Sequence, residues 1–336
     1  MKLSESLRRG IMETFVGGII NKFKVSRRRR DTLFFEELLA RYILECERAG
    51  FGAQTQRMGE EWGFLITQML ASETIRRMPP QFLFNIIIAN IWHNLGLIDR
   101  LHAEKSDNIW RMSTENEAIT RCIGENKFML GFYMGNLETL SSGTVFPLKS
   151  KQKKESGEYT FKLRGNPISI KARSNELYRK LNDIGPIEGY TLKDALKRNI
   201  FTLSGNRVYF RGRPIMPVEN TLVHIIGKFN VLPEKVAEIS YEFFKEIVKE
   251  DTRREEKLVL LKTIFQITGW GAIRILADKK SDITLKIRNL PHGLLLKDDW
   301  TFLLRTILGY LWLIDRELKI AHIKETRSGI LVEYSH

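Results

Sequence analysis

Hydrophobic positions along the chain predict two stretches of similar plan. Each opens with three helices in which apolar residues recur every three or four positions, at about 33–49, 54–72 and 81–92, and again at about 218–229, 233–250 and 255–267. Apolar residues at every second position, as at Ile283, Leu285 and Ile287, then predict strands. A further helix follows, at about 126–140 or 299–314, and two final strands close each stretch. We therefore expect an α+β fold, with helices on one face of a mostly antiparallel sheet.

The two stretches also match in sequence. At a shift of 175 residues, identical residues recur between positions 83 and 107; they pair Leu83, Gly96, Ile98, Leu101, Lys105, Ser106 and Asp107 with Leu258, Gly271, Ile273, Leu276, Lys280, Ser281 and Asp282. At a shift of 174, the matches are Phe128, Leu130, Gly135 and Leu137 with Phe302, Leu304, Gly309 and Leu311. We interpret this as an internal duplication whose copies form an internal pseudo-two-fold pair.

The predicted organisation has four parts. They are a basic amphipathic N-terminal segment (1–30), a first copy (31–164), a linker with an accessory hairpin (165–212) and a second copy (213–336). In the linker, Phe201–Leu203 and Arg207–Phe210 flank a Ser-Gly-Asn turn, which is typical of a hairpin. A winged helix-turn-helix, with Lys193, Lys197 and Arg198 on its second helix, is an alternative interpretation of this region.

Charge adds a second kind of information. The formal net charge is +14, and residues 1–30 and 149–180 account for the whole excess. Such segments attract the phosphates of nucleic acid or of acidic lipid, although a merely solvated surface is the alternative. The candidate phosphate-contacting residues are Arg27, Arg28, Arg29, Arg30, Lys149, Lys151, Lys153 and Lys154.

The N-terminal segment also has an apolar stripe. Leu3, Leu7, Ile11, Phe15, Ile19 and Phe23 recur every four residues, which predicts an amphipathic helix. Such a helix packs on the body or on a partner subunit, or it lies on an acidic membrane surface. The first alternative is favoured.

The sequence contains few motifs that indicate catalysis or metal binding. The only cysteines, Cys46 and Cys122, exclude a disulfide framework and an all-cysteine metal site, and they favour a cytoplasmic location. No apolar run approaches ~18 residues, so a membrane-spanning helix is not expected. The six histidines lack zinc spacing, and phosphate-cradling or nucleophile-elbow motifs are absent. No catalytic residue or metal ligand is therefore assigned and the cofactor stays open; a non-enzymatic protein is favoured over an unrecognised enzyme.

Several short glycine-marked motifs resemble a known family. In the first copy they are Gly52-Ala53-Gln54-Thr55-Gln56-Arg57-Met58-Gly59-Glu60-Glu61-Trp62-Gly63, Gly96, and Phe128-Met129-Leu130-Gly131-Phe132-Tyr133-Met134-Gly135. In the second they are Arg213-Pro214-Ile215-Met216-Pro217, Gly269-Trp270-Gly271, Asn289-Leu290-Pro291, and Phe302-Leu303-Leu304 with Gly309. This order is similar to that of the 4-vinyl reductase-like domain family, occurring twice. The resemblance implies a fold related to TRAPP vesicle-tethering subunits, and a small-molecule-binding role in regulators or in pigment synthesis, commonly as pairs.

A ligand pocket is predicted where helix passes into strand. Glycines there would allow close approach of a ligand, and indoles would supply flat apolar walls, although turn formation and core packing explain the same residues. The candidate ligand-binding residues are Trp92, His93, Asn94, Gly96, Trp270, Gly271 and His292. The expected function is a non-enzymatic, regulatory protein that binds a small apolar ligand, a protein partner or a second copy of itself. The competing class is a nucleic-acid-binding regulator or a membrane-surface tether that uses the basic segments.

Overall fold

The computed structural model describes residues 31–70, 78–165, 192–219, 221–279, 281–291 and 300–336. The predictions for the N-terminal segment, for Arg27 to Arg30 and for His292 lie outside these residues.

The described elements follow in chain order. The first half contains β1 (Asp31–Phe35), α1 (Glu36–Arg48), α2 (Gly52–Leu70), α3 (Pro80–Phe82, the π-helical Leu83–Ile88 and Ala89–Asn94), β2 (Arg100–Ser106), β3 (Ile109–Glu115), α4 (Thr120–Ile123), α5 (Lys127–Ser141), β4 (Thr144–Lys153) and β5 (Ser156–Arg164). Between the halves lie α6 (Leu192–Lys197), β6 (Phe201–Ser204) and β7 (Arg207–Phe210). The second half contains β8 (Arg213–Glu219), α7 (Thr221–Phe229), α8 (Pro233–Ile247), α9 (Arg254–Ile267), β9 (Ala272–Asp278), β10 (Asp282–Arg288), α10 (Trp300–Leu311), β11 (Lys319–Thr326) and β12 (Gly329–Ser335).

Each half ends in a four-stranded antiparallel sheet with the same strand order. The first sheet is ordered β2-β3-β5-β4 and the second β9-β10-β12-β11. In both halves a strand and three helices come first, and a helix lies between the two hairpins that build the sheet. The α+β class with antiparallel sheets is therefore confirmed, and the shared order is what a duplication predicts.

A third sheet joins the halves at their first strands. Strand β1 pairs antiparallel with β8, with Leu33 opposite Pro217, and β7 and β6 continue this sheet. The helix predictions that begin at residues 33 and 218 are therefore wrong at their starts. Leu33–Phe35 and residues 218–219 are strands, because pairing between segments about 185 residues apart decides their conformation. The predicted hairpin is present, and it belongs to this sheet.

Helices of the first half pack on helices of the second half in a reciprocal arrangement. Helix α1 packs on α8, and α7 packs on α2, so that the first helix of each half contacts the second helix of the other. Arg41 and Arg213 each bind both Glu37 and Glu246, at distances of 2.6 to 2.9 Å. This exchange is the arrangement that a pseudo-two-fold pair predicts.

Helices α2 and α5 cross at backbone contact distance. A Cβ atom placed on Gly59 or Gly131 would lie 1.9 Å from the carbonyl oxygen of Phe128 or Gln56, respectively. A Cβ atom placed on Gly63 or Gly135, one turn further on, would lie 2.0 Å from a backbone carbonyl oxygen of the other helix. Small residues four apart allow two helices to approach this closely. These four glycines of the family-like motifs are therefore required by packing.

Candidate functional site

The residues of the pocket predicted around Trp92 contact other parts of the protein. Trp92 is buried, and its ring centroid lies 5.4 Å from that of Phe132. His93 is exposed, and its Nδ1 lies 2.8 Å from the carbonyl oxygen of Asp99. Asn94 donates to the carbonyl of its own helix one turn earlier, at 2.7 Å. Gly96 has a φ of +71°, and a Cβ there would meet the β6–β7 turn at 2.8 Å.

The carbonyls of this turn are also bound. Asn206 in the β6–β7 turn donates to the carbonyl oxygen of His93, and Arg121 donates to that of Gly96 at 3.1 and 3.2 Å. Arg207 forms an ion pair with Asp99 beside them. These contacts favour the packing interpretation of the turn.

The equivalent turn of the second half shows the same pattern. Trp270 is buried among Phe34, Phe265 and Phe302, with centroid distances of 4.9 to 5.9 Å, and its Nε1 donates to the carbonyl oxygen of Leu33 at 2.9 Å. Gly271 has a φ of +146° and leaves space for the side chain of a β10 residue. Trp270 thus ties β1 to the second half.

A buried carboxyl group lies beneath the first sheet. Glu117 is 1% exposed and accepts hydrogen bonds from the hydroxyls of Thr120, Tyr133 and Tyr159. Burial raises the pKa of Glu117 and, with the nearby carboxylate, the pKa values of both tyrosines. Asn126, the N-cap of α5, donates to Thr120, which extends this network to the start of the helix. Through Tyr133 and Tyr159, this carboxyl group links helix α5 to strand β5 of the first sheet.

Cys122 lies beside a carboxylate, whose negative charge disfavours the thiolate. Its Sγ lies 3.4 Å from the carboxylate of the buried Glu36, which also pairs with Arg121. Burial and then the Glu36 charge raise the pKa of the Cys122 thiol. A raised pKa disfavours the thiolate, so the interpretation of an inert thiol is favoured over that of a nucleophile.

The outer face of the first sheet is solvent-exposed and basic. Side chains alternate along β3, β5 and the first five residues of β2: the inward residues are mostly buried under the helices, and the outward residues are mostly exposed. We call this outward surface the basic face. Its basic residues are Arg100, Arg111, Lys149, Lys151, Lys153, Lys162 and Arg164, and its acidic residues are Glu104, Glu115 and Glu158.

The strand register sets the order of charges across this face. One row runs His102, Ser113, Glu158 and Lys151, and the next runs Glu104, Arg111, Thr160 and Lys149. A groove of about 320 Å³ lies over these two rows. Cations, carboxylates and hydroxyls therefore converge on one open concavity.

An aromatic–guanidinium stack lies towards one end of the basic face. The Arg164 guanidinium lies 4.7 Å from the ring centroid of Phe146, which is 37% exposed. Leu148, at the irregularity between Pro147 and Lys149, is 56% exposed. This edge therefore offers flat and apolar surface next to the charged groove.

The structure brings some predicted residues together and separates others. Lys149, Lys151 and Lys153 share the basic face, whereas Lys154 lies in the turn between β4 and β5. Arg100 and Arg111 lie on the same face but precede the basic segment 149–180 in the chain, so the distribution of charge along the sequence does not reveal them. The alternation of β3 is the signal that could have found Arg111.

Further findings limit other kinds of site. In the part of the chain that the structure describes, no group of three or more His, Cys, Asp or Glu side chains is arranged to hold a metal ion. No helix among the same residues has both the length and the apolar character needed to cross a membrane. Comparisons with protein-family models, curated proteins and solved structures give no match to this chain. The resemblance to the 4-vinyl reductase-like family stays a prediction from the motifs.

Proposed function

We propose that the protein is a non-enzymatic binding protein and that its first half binds single-stranded nucleic acid on the basic face. The observation that carries the proposal is an open four-stranded sheet whose outward side chains include more than twice as many cations as carboxylates. Lysine and arginine side chains bind phosphates and release condensed counterions, which drives association. The paired halves supply the rigid support.

The mixture of side chains in the groove suits a strand with accessible bases. Glu104 and Glu158 can accept hydrogen bonds from base amino groups or ribose hydroxyls, and Ser113 and Thr160 can donate or accept. The Phe146–Arg164 stack offers a flat surface for a base. Single strands present these groups, whereas an intact duplex keeps its bases paired and stacked.

An anionic membrane surface is the second candidate, and the exposed Leu148 and Phe146 favour it. The centre of the groove argues against it, because the carboxylates of Glu104 and Glu158 would face lipid phosphates of the same sign. Nucleic acid is therefore the better-supported ligand. The small-molecule role implied by the family resemblance is compatible with the same groove.

The test replaces three cations of the groove, Arg111, Lys149 and Lys151, by Gln. The matched control replaces Lys235, Lys245 and Lys249, which are exposed residues of the second half, so that both variants lose the same charge. Binding of a fluorescent single strand of about 8 nucleotides, the size of one small binding site, is measured by anisotropy over a range of salt concentrations.

We expect the groove variant to bind at least about tenfold more weakly than the control variant, since it loses three phosphate contacts. The slope of log affinity against log salt should fall by about 2, because each contact on a single strand contributes about 0.7. Equal affinity of the two variants would contradict the proposal. Loss of binding to anionic vesicles, with oligonucleotide binding unchanged, would favour the membrane surface instead.

A further inference from the structure

The sheet of the second half carries its own row of cations. The register places Arg274 opposite Lys286, Lys286 opposite Leu331, and Leu331 opposite Lys324, so that the row crosses all four strands on the outward face. We call these residues the second row. With neighbouring strands about 4.8 Å apart, the two ends of the row lie roughly 14 Å apart.

The cations of the second row have no ion-pair partner among the described residues. Arg274, Lys286 and Lys324 form no ion pair with another described residue, although Arg254 nearby pairs with Asp278 at 2.6 Å. The row itself contains no carboxylate, in contrast to the alternating charges of the basic face. A cluster of charges of one sign raises the local concentration of ligands of the opposite sign, here anions.

The positive charge of the second row continues into the neighbouring row on one side. Arg288 lies in the next row, opposite Ala272 on β9 and Gly329 on β12. On the other side the nearest acid is Glu333, opposite Thr284 and next to His322. On the side of Arg288 the neighbouring residues are therefore small, which leaves room for a backbone phosphate to approach.

We propose that the second row is a second, sequence-independent phosphate-binding site, and that a longer nucleic-acid strand binds it and the basic face together. The row offers cations and one leucine but neither carboxylates nor hydroxyls, so it suits contact with phosphates rather than recognition of bases. The inference rests on the proposed function for the chemistry of the ligand. Two linked sites raise the affinity for strands that reach both.

The experiment compares a short strand with a long one. The variant replaces Arg274, Lys286 and Lys324 by Gln, and the control is the Lys235, Lys245 and Lys249 to Gln variant described above. Binding of single strands of about 8 and about 30 nucleotides is measured, since one small site covers about 4 to 16 nucleotides. Thermal unfolding verifies that each variant folds; the single substitution Lys324→Glu on the edge strand β11 provides a milder version of the same test.

For the strand of about 30 nucleotides, the second-row variant should bind at least about tenfold more weakly than the control, with a salt slope lower by about 2. For the strand of about 8 nucleotides, native mass spectrometry should show two bound strands per wild-type chain and one per variant chain. Equal long-strand affinity and equal stoichiometry for the variant and the control would overturn the inference, even if the basic face binds as proposed. A loss of binding to anionic vesicles alone would also overturn it, whereas failure of the wild-type chain to bind any strand would contradict the proposed function itself.

Discussion

The crossing of α2 and α5 makes a quantitative prediction about stability. In Gly59→Ala, the new methyl carbon would lie 1.9 Å from the backbone carbonyl oxygen of Phe128, and in Gly131→Ala it would lie 1.9 Å from that of Gln56. An ordinary contact begins at 3.4 Å, so the helices must separate by about 1.5 Å at this point. The obstructing atoms belong to helix backbones, and no side-chain rotation can remove the clash.

The cost follows from what the separation disturbs. Residues 128–140 of α5 are all buried, so a displaced α5 loosens its contacts with the helix and the sheet on either side. Overpacking of this kind costs up to about 3 kcal/mol, and replacing a helical glycine by alanine returns about 1 kcal/mol. We therefore expect each variant to lose about 2 kcal/mol of unfolding free energy, measured by urea denaturation with circular dichroism.

The double variant tests the argument more sharply. Because one separation of the helices makes room for both methyl groups, Gly59→Ala combined with Gly131→Ala should cost clearly less than the sum of the single variants. Gly165→Ala is the control, since nothing lies within 4 Å of its added Cβ. If the single variants were as stable as this control, the close crossing would be refuted. Full additivity in the double variant would refute the shared displacement.

The remaining predictions concern buried polar groups. Because burial raises the pKa of Glu117 in the folded protein, its favourable contribution is complete below its unfolded pKa of about 4.3 and is lost as the pH rises through the folded pKa; the unfolding free energy of wild type relative to Glu117→Gln should therefore fall as the pH rises above about 4.3, and a constant difference would contradict this. Trp270→Phe should cost about 1 kcal/mol more than Trp92→Phe, because the Trp270 indole donates a hydrogen bond to Leu33 and the Trp92 indole has no hydrogen-bond partner among the described residues; equal costs in urea denaturation would argue against a contribution from this bond. Asn85 makes two hydrogen bonds of 2.8 Å to the backbone of the edge strand β2, so Asn85→Ala should increase aggregation measured by light scattering, with the exposed Asn90→Ala as control.

Local patterns predicted most elements but not the pairing between distant ones. Ile283, Leu285 and Ile287 occupy every second position in the sequence, and all three are buried in strand β10. This spacing predicts the strand because it marks the side-chain face that packs into the core. Leu33–Phe35 is an unbroken apolar run, which fits a helix or a strand equally well until its partner β8 is known. The basic face required the register for the same reason, since Arg111 and Lys149 lie 38 residues apart in the chain and in one row of the sheet.

The difference between the two sheets bears on where binding specificity would lie. Both sheets use the same strand order, and most inward residues of their central strands are buried apolar side chains that packing constrains. Their outward residues carry no such constraint, and there the halves differ: Glu104 and Glu158 alternate with cations in the first, whereas the row from Arg274 to Lys324 has no acid. We therefore expect Glu158→Gln to change base preference at the first sheet, with little effect on stability. An unchanged preference among single strands of different base composition would place recognition elsewhere.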